Sequence, residues 1–552
     1  MSSQTTTPVA SSSADTTTLN GALTHSSSSD PLVDFYFGAV KDTPQDRLAA
    51  LVDAAATHDL LATLRLIFDA RNCRGGKGRR DVFLGAGQHL MSRGDINADQ
   101  AWMHNLKHVP TFGYFKDLWV YLERQEKVAR VARVEVAEAE LTSTTAAPVD
   151  VCSTPATLSS SILTIYADQL SHDCQAVFGM PPSQFSLAVK TGTRPSPIQN
   201  KVAISLAAKF APRVKTHFVK YMHGLIKQLQ MSEKAYRWLV VDLCKHLNVV
   251  ETQMSIGNWT SIDYSKIPSV ATSRYIKAFK KHDPEGWKTF KTRVREGKTK
   301  INVAQLSFPD TIQKIRYSPK PDDDLELLVS EYVRKMGTSM SEVVVVADTS
   351  GSMGGVYIPI GASGSIEPRP VAPIDVCLAL TLLAASNIQG ELRDHYIAFS
   401  ERSELIKIKG ETWHEKIKIT QNGPWGGSTN VQAAFDRVLE AMKAGTSVKV
   451  IIIVSDMQFD SCGGKKTNFE RIQKRFDEAG LRRPTLVFWN VSAACTDVPV
   501  KSDQHGTILV SGFTPSLFEM LVDQPDNVTP RVFIDQIVAK PCYQVIQLPS
   551  SE

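Results

Sequence analysis

The spacing of apolar residues divides the chain into two kinds of structure. In residues 31–90 apolar side chains recur every three or four positions, as at Leu48, Leu51 and Val52, and this spacing predicts successive helices. After about residue 340, short apolar runs alternate with amphipathic segments of helical length, which is typical of parallel sheets. The chain is therefore predicted to be α + α/β, with a helical part followed by a doubly wound sheet.

Composition places the boundaries of these parts. Residues 1–29 are rich in Ser and Thr and have almost no large apolar side chain, so we expect a disordered tail. Residues 30–338 are predicted to form a domain of irregular helical repeats with a flexible insertion at about 141–160. Residues 339–552 are predicted to form the α/β domain.

A set of oxygen-bearing side chains follows the first apolar run of the α/β part. Residues 343–346 are four valines in a row, which predicts a strand buried on both faces. The chain then presents Asp348, Ser350 and Ser352 where an open α/β sheet binds ligands, at the carboxyl end of a parallel strand. These hard oxygen donors suit Mg²⁺ or Mn²⁺ better than zinc.

The motif resembles the metal-ion-dependent adhesion site of von Willebrand factor A domains, which have a Rossmann-like fold. That family needs a further hydroxyl and a second acid. The resemblance assigns the hydroxyl to Thr429, with Ser428 as the alternative register, and the acid to Asp456, which follows the apolar run 449–455. It also implies that a bound Mg²⁺ or Mn²⁺ accepts a carboxylate from an acidic residue of a protein partner.

Positive charge is concentrated in the middle of the chain. The net charge is +5, yet residues 201–300 hold 20 Lys or Arg against 7 Asp or Glu, whereas residues 341–552 hold 20 against 24. Such a stretch suits phosphate contacts, with Tyr275 or Trp287 as stacking partners for bases. The alternative is a solvated helix face with the aromatic side chains in the core.

A second basic segment is the Gly-rich turn at residues 71–80. It lacks the strand and the spacing of a Walker loop, but its glycines and the helix start after it could hold a phosphate; the alternative is a solvated turn. The candidate RNA-binding residues from both segments are Arg74, Lys77, Arg79, Arg80, Lys201, Lys209, Arg213, Lys215, Lys280 and Lys281.

Basic helical repeats followed by such a domain resemble the Ro autoantigen, or TROVE-type, proteins, in which a HEAT-like helical ring binds RNA. The chain more closely resembles a eukaryotic and giant-virus family with a helical domain of unknown function. Four segments carry this resemblance, at residues 71–78, 112–118, 208–213 and 258–269. RNA binding is what the first resemblance implies, since no RRM or KH signature is present.

The remaining features constrain the environment of the protein. No apolar run approaches the ~20 residues of a membrane helix, and the N-terminus has neither a secretory nor a transit pattern. The 8 cysteines form no CxxC pair, which indicates free or buried thiols. We expect a cytoplasmic protein, with the nucleus as the alternative, and no membrane partner.

Three functions are compatible with this sequence. The first is a non-enzymatic scaffold whose helical domain binds RNA. The second is a protein-interaction module that captures an acidic residue through its cation, without nucleic acid. Catalysis is disfavoured because HExxH, GxSxG and Walker motifs are absent from the sequence, as is a convincing pair of base and nucleophile.

Overall fold

The computed structural model describes residues 14–142, 154–198, 202–337, 340–354, 370–399, 403–421, 429–512, 517–522, 524 and 527–550. The chain forms two compact units, each assembled from separate stretches of sequence. The sheet unit comprises Met1–Asp59 and Leu306–Ala539, and the helical unit comprises Leu60–Gln305 and Lys540–Glu552. This division differs from the predicted boundary near residue 338, because segments from both ends of the predicted helical domain pack with the sheet.

The N-terminal part of the sheet unit contradicts the prediction of a disordered tail for residues 14–29; residues 1–13 lie outside the described chain. Two short antiparallel strands, β1 (Thr16–Thr17) and β2 (Leu23–Thr24), precede helices α1 (Pro31–Gly38) and α2 (Gln45–His58). The segment is ordered by hydrogen bonds from polar side chains to distant backbone, such as Thr24 Oγ1 to Val498 O at 2.7 Å. Apolar content alone does not reveal such bonds.

The helical unit consists of helices joined by turns. Its core contains large aromatic side chains, among them Trp119, which stacks on Tyr166 with ring centroids 4.3 Å apart. Its helices are α3 (Leu60–Arg71), α4 (Arg80–Leu90), α5 (Ile96–Asn105), α6 (Val109–Phe112), α7 (Phe115–Thr142), α8 (Thr154–Phe178), α9 (Pro182–Lys190), α10 (Ala207–Phe210), α11 (Met222–Gln228), α12 (Glu233–His246), α13 (Val250–Ser255), α14 (Ser269–His282) and α15 (Pro284–Arg295).

Two further features of this unit bear on the predictions. The predicted insertion at 141–160 is helical at both ends, because α7 ends at Thr142 and α8 begins at Thr154; residues 143–153 lie outside the described chain. The C-terminal segment returns to this unit, where the Tyr543 hydroxyl donates to Asp69 Oδ1 at 2.8 Å. The last part of the chain therefore completes the helical unit.

The sheet unit continues after residue 305 with alternating helices and strands, as predicted. Its elements are α16 (Phe308–Tyr317), α17 (Asp323–Met336), β3 (Val343–Asp348), α18 (Pro373–Asn387), β4 (His395–Phe399), β5 (Glu404–Lys407), α19 (Trp413–Gln421), α20 (Val431–Lys443), β6 (Val450–Ser455), α21 (Asn468–Glu478), β7 (Thr485–Asn490), β8 (Thr507–Ser511), α22 (Phe518–Val522) and α23 (Pro530–Val538).

Six strands form one mixed sheet in the order β5-β4-β3-β6-β7-β8. All neighbours are parallel except β5, which is antiparallel to β4 and forms one edge. Every residue of β3, β6, β7 and β8 is buried, as expected for strands covered on both faces. Helix α18 packs on β3, β4 and β6, while α20 packs on β4 and β5. The loops at the carboxyl ends of β3 and β6 therefore emerge from strands that are buried along their whole length.

No helix in the described parts of the chain combines the length and the apolar character needed to cross a bilayer. The seven cysteines that the structure describes form no disulfide, in agreement with the sequence prediction; Cys152 lies outside the described residues.

Candidate functional site

The two predicted acids lie on adjacent parallel strands. Asp348 is the last residue of β3, and Asp456 directly follows β6. The strands pair in parallel with Ala347 opposite Val454, so the next residues, Asp348 and Ser455, lie side by side at the carboxyl edge of the sheet. The register of two strands distant in sequence thus brings the loops after β3 and β6 together.

A chain of hydrogen bonds joins four of the predicted ligands. The Asp348 carboxylate accepts from the Ser350 amide at Oδ1 over 2.9 Å. The hydroxyls of Ser350 and Ser352 lie 2.9 Å apart, and the Ser352 side chain in turn hydrogen-bonds Asp456. Asp348, Ser350 and Asp456 are at most 2% exposed, whereas Ser352 is exposed. The network therefore runs from a buried acid to a hydroxyl that solvent reaches.

The fifth predicted ligand, Thr429, is attached to the segment that follows Asp456. Its amide donates to Asp460 Oδ2 at 2.6 Å, and the Asp460 amide donates to the Thr429 carbonyl at 3.1 Å. Thr429 is 1% exposed and directly precedes Asn430, whose side chain caps α20. Its alternative, Ser428, lies outside the described residues.

The electrostatics of the two acids fit a bound cation. Burial, together with the nearby charge of Asp456, raises the pKa of the Asp348 carboxyl to about 7. Burial also raises the pKa of Asp456 above its usual range. Two poorly solvated carboxylates repel each other, and a cation or a proton between them offsets this repulsion.

The donor set also narrows the choice of cation. Among the residues that the structure describes, no three His, Cys, Asp or Glu side chains converge. An ion at this edge would therefore need hydroxyl oxygens in addition to the two carboxylates, and such all-oxygen sets suit Mg²⁺ or Mn²⁺.

Sequence reasoning missed Ser455, which supports Asp348 from the neighbouring strand. The Ser455 hydroxyl donates to Asp348 Oδ2 at 2.5 Å and accepts from the Met457 amide at 2.9 Å. Met457 has a φ of 65°, a left-handed conformation that is strained for a residue with a side chain and is often found at functional sites. Ser455 reads in the sequence as a strand end, and only the β3–β6 register shows its role.

A polar pocket of about 700 Å³ opens beside Thr429, between α20 and α21. Asn430 and Asp460 line the end next to Thr429. Four basic side chains contribute to the rest of the lining, alongside Asp436 and Glu478: Lys466, Arg471, Lys474 and Arg475. The pocket therefore has four basic side chains against three acidic ones, on a domain that is otherwise acidic.

In the helical unit, the basic turn at residues 71–80 is largely committed to internal contacts. Lys77 is 3% exposed, so it cannot reach a phosphate, contrary to its selection as a candidate. Arg80 pairs with the buried Asp117 at 2.7 Å, and Arg79 pairs with Asp81 at 2.8 Å. Arg74 is exposed, but its guanidinium donates to the Thr111 carbonyl at 2.6 Å. These contacts indicate that the turn fastens helices together.

The RNA-binding candidates at residues 209–215 differ in their contacts. Lys209 pairs with Glu251 at 3.1 Å, and the Arg213 guanidinium donates to the Ala208 carbonyl at 3.0 Å, whereas Lys215 is exposed. Lys201 lies outside the described residues.

Of the two proposed stacking residues, Trp287 is buried and cannot stack on a base, whereas Tyr275 is half-buried. Trp287 is 2% exposed, and the Tyr275 hydroxyl donates to Glu251 Oε1 at 3.1 Å. The alternative interpretation, in which the aromatic side chains belong to the core, holds for Trp287 because it packs among Tyr264, Phe279 and Phe290.

Exposed basic side chains remain on α14 and α15. Lys280 and Lys281 both face solvent, as a contact with nucleic acid would require. From residue 269 to residue 300 the chain has ten Lys or Arg and three Asp or Glu. The exposed Lys and Arg side chains of α14 and α15, here called the basic helix pair, also include Arg274, Lys277, Lys288 and Arg293.

Comparisons with known proteins agree with the predicted resemblance to a family of unknown function. The model of a domain of unknown function, DUF2828, matches residues 18–148 and 122–343, and that of a second one, DUF7788, matches residues 342–535. An uncharacterized protein of Acanthamoeba polyphaga mimivirus is 26% identical over 534 residues, which is 92% of this chain and 84% of the relative. The two family models meet at residues 342–343, whereas the compact units divide at residues 59, 305 and 539.

Proposed function

The chain belongs to the DUF2828 family, and we propose that it is a non-enzymatic binding protein that captures an acidic residue of a protein partner through a divalent cation. On this proposal the sheet unit is a domain of the von Willebrand factor A type. The observation that carries it is the hydrogen-bond network at the sheet edge, which joins Asp348, Ser350, Ser352 and Asp456 across two strands.

The residues that would hold Mg²⁺ or Mn²⁺ are Asp348, Ser350, Ser352, Thr429 and Asp456. A bound cation would supply a positive centre for a partner carboxylate. The protein supplies the rest of the site: Ser455 fixes the Asp348 carboxylate, and burial keeps water from competing for it. The exposed hydroxyl of Ser352 marks the side from which a partner can approach.

The polar pocket beside Thr429 favours an acidic partner. Its basic side chains can attract carboxylates that flank the captured residue, since opposite charges across an interface steer association. Arg475 already pairs with Asp436 at 2.9 Å, so Lys466 and Lys474 are the better candidates for this contact. Lys474 pairs with Glu478 on its own helix, and both of these side chains are exposed.

Two measurements test this function. Mn²⁺ binding to the full chain is followed by electron paramagnetic resonance, and a fluorescein-labelled poly-aspartate peptide is titrated with and without Mg²⁺. Asp348→Ala and Asp456→Ala should abolish both signals, whereas Asp503→Ala, an exposed acid of the same unit, should change neither. Equal peptide binding by wild type and both site variants, or after chelation, refutes the proposal.

A second candidate function is RNA binding by the helical unit, which on this proposal is a set of HEAT-like repeats resembling those of TROVE-type proteins. The basic helix pair favours it, because its Lys and Arg side chains face solvent on neighbouring helices. Lysine and arginine release counterions from the phosphate backbone on binding, so affinity should fall steeply with salt.

The test is anisotropy of a labelled single-stranded poly-uridine RNA at several salt concentrations. Combined Lys277→Glu, Lys281→Glu and Lys288→Glu changes should weaken binding and flatten its salt dependence. Lys107→Glu, an exposed change elsewhere in the helical unit, is the control. Absence of salt-sensitive binding by the wild type at low ionic strength excludes this function, whatever the result for the cation site.

A further inference from the structure

We propose that the N-terminal hairpin, residues 16–24, is a positioning element of the candidate cation site. This inference rests on the proposed cation function. It starts from the segment at residues 457–461, here called the site loop, which directly follows Asp456. The hairpin is hydrogen-bonded to this loop, although more than 430 positions separate the two in sequence.

Three hydrogen bonds that involve a side chain connect the hairpin to the site loop. Thr18 Oγ1 donates to the Phe459 carbonyl at 2.7 Å, and Asn20 Nδ2 donates to the Gln458 carbonyl at 2.6 Å. In return, Gln458 Oε1 accepts from the Leu19 amide at 2.8 Å. Each of these bonds ends on a main-chain group, so the conformation of both segments is held.

Backbone contacts also connect the hairpin to the site loop at Asp460 and Ser461. Gly21 forms an antiparallel bridge with Asp460, and the Ser461 amide donates to the Asn20 carbonyl at 3.3 Å. The far end of the hairpin is anchored as well, because His25 and Val498 exchange backbone hydrogen bonds of 3.1 and 2.8 Å. The hairpin is therefore tied at its far end and at the site loop.

The site loop connects the hairpin to two of the predicted ligands. The Gln458 amide donates to Asp456 Oδ1 at 3.1 Å, and Asp460 exchanges two hydrogen bonds with Thr429. Gln458 therefore touches the hairpin through its side chain and carbonyl and touches the ligand Asp456 through its amide. The loop also contains the left-handed Met457, a conformation that surrounding contacts must hold in place.

Loss of the hairpin contacts should therefore weaken cation binding without unfolding the sheet. Hydrogen bonds that orient ligands from outside the coordination shell typically contribute 10- to 100-fold to affinity. We expect Thr18→Val combined with Asn20→Ala to raise the Mn²⁺ dissociation constant about 10-fold. Thr18→Ser, which keeps the hydroxyl, should restore most of the affinity when it replaces Thr18→Val.

The experiment measures Mn²⁺ affinity by electron paramagnetic resonance on the full chain, together with the melting temperature of the cation-free protein. Leu19→Ala is the matched control, because this side chain is 82% exposed and only its amide contacts the loop. If the double variant unfolds at the assay temperature, the affinity is measured on the two single variants. Asn20→Ala removes the bond to the Gln458 carbonyl, and Thr18→Val removes the bond to the Phe459 carbonyl together with the one that the Thr18 hydroxyl accepts from the Ala22 amide at 3.0 Å.

The outcomes separate the two proposals. A wild type that fails to bind Mn²⁺ overturns the cation function and with it this inference. A wild type that binds, with folded Thr18 and Asn20 variants that bind equally well, overturns the positioning role alone. An affinity loss that Thr18→Ser does not relieve also contradicts it, since the hydroxyl bond to Phe459 would then be irrelevant.

Discussion

Replacing Asp348 by Asn should separate the stability of the sheet from its ability to bind a cation. The carboxylate accepts from the Ser350 amide and from the Ser455 hydroxyl. An Asn side chain of the same shape can accept the first of these bonds and donate to the Ser455 oxygen. The change therefore removes a charge while both contacts are kept, with donor and acceptor exchanged at Ser455.

The magnitude follows from the raised pKa. A shift of the Asp348 pKa from 3.8 to about 7 corresponds to about 4 kcal/mol of lost folding free energy at pH 8 in the cation-free protein. The sign follows from linkage: the folded state binds this proton more tightly than the unfolded state, so stability falls as the pH rises from about 4 to about 7. Asp348→Asn should thus stabilise the cation-free protein at pH 8 by up to about 4 kcal/mol, and by less than about 2 kcal/mol at pH 5.

Mg²⁺ should narrow this difference. At a concentration one hundred times its dissociation constant, a ligand of the folded state adds about 2.7 kcal/mol to stability. The wild type should gain this amount and the Asn variant should gain none. The assay is thermal unfolding at pH 5 and pH 8, with chelator or with Mg²⁺, and Asp503→Asn serves as the control for a loss of charge at an exposed position.

Two results would refute this reasoning. One is a cation-free Asp348→Asn protein that is destabilised to the same extent at pH 5 and pH 8, which would show that the carboxylate has a purely structural role. The other is an equal rise in melting temperature with Mg²⁺ for the wild type and the variant, which would place the cation elsewhere.

Three further predictions concern single side chains. Ser455→Ala removes the bond to the Asp348 carboxylate and should weaken Mn²⁺ binding about 10-fold by electron paramagnetic resonance, with the sheet still folded. Asp117→Ala leaves the buried Arg71 without its carboxylate and should cost about 3–5 kcal/mol in urea unfolding, whereas Asp81→Ala, at a half-exposed pair, should cost at most about 1 kcal/mol. Burial lowers the pKa of Lys77 to about 7, so the folded state favours the neutral amine. Relative to Lys77→Met, the wild type should therefore gain about 2 kcal/mol of folding stability between pH 7 and pH 9. A stability difference between the two proteins that does not change with pH would contradict this burial.

Local sequence patterns were sufficient for the α/β part of the chain. The four valines at residues 343–346 lie within β3, and the apolar run at residues 449–455 contains β6. The reason is that strands buried on both faces, such as residues 343–346, must be continuous apolar runs, which a single sequence displays. The polar residues that end β3 and β6 were visible for the same reason, because each follows its apolar run directly.

The accessibility of the basic residues was decided by tertiary structure. Lys77 and Lys281 look alike in the sequence, since both lie in basic segments, yet Lys77 is buried and Lys281 is exposed. The difference in exposure depends on which segments, distant in sequence, cover each position. The C-terminal Tyr543, for example, packs beside the turn at residues 71–80 and accepts a hydrogen bond from Asn72. Periodicity within a helix cannot show which elements come to lie on its faces.

The same limit applies to the N-terminal hairpin and to the boundary between the units. Sequence composition determined that residues 14–29 lack a hydrophobic core of their own, and it determined where the apolar strands and the acids Asp348 and Asp456 lie. Only the folded chain decided that Thr18 and Asn20 reach the loop after Asp456, that Ser455 supports Asp348, and that both ends of the chain join units far from them in sequence. Apolar burial leaves a local periodic trace along the chain, whereas hydrogen bonds between distant polar groups leave none.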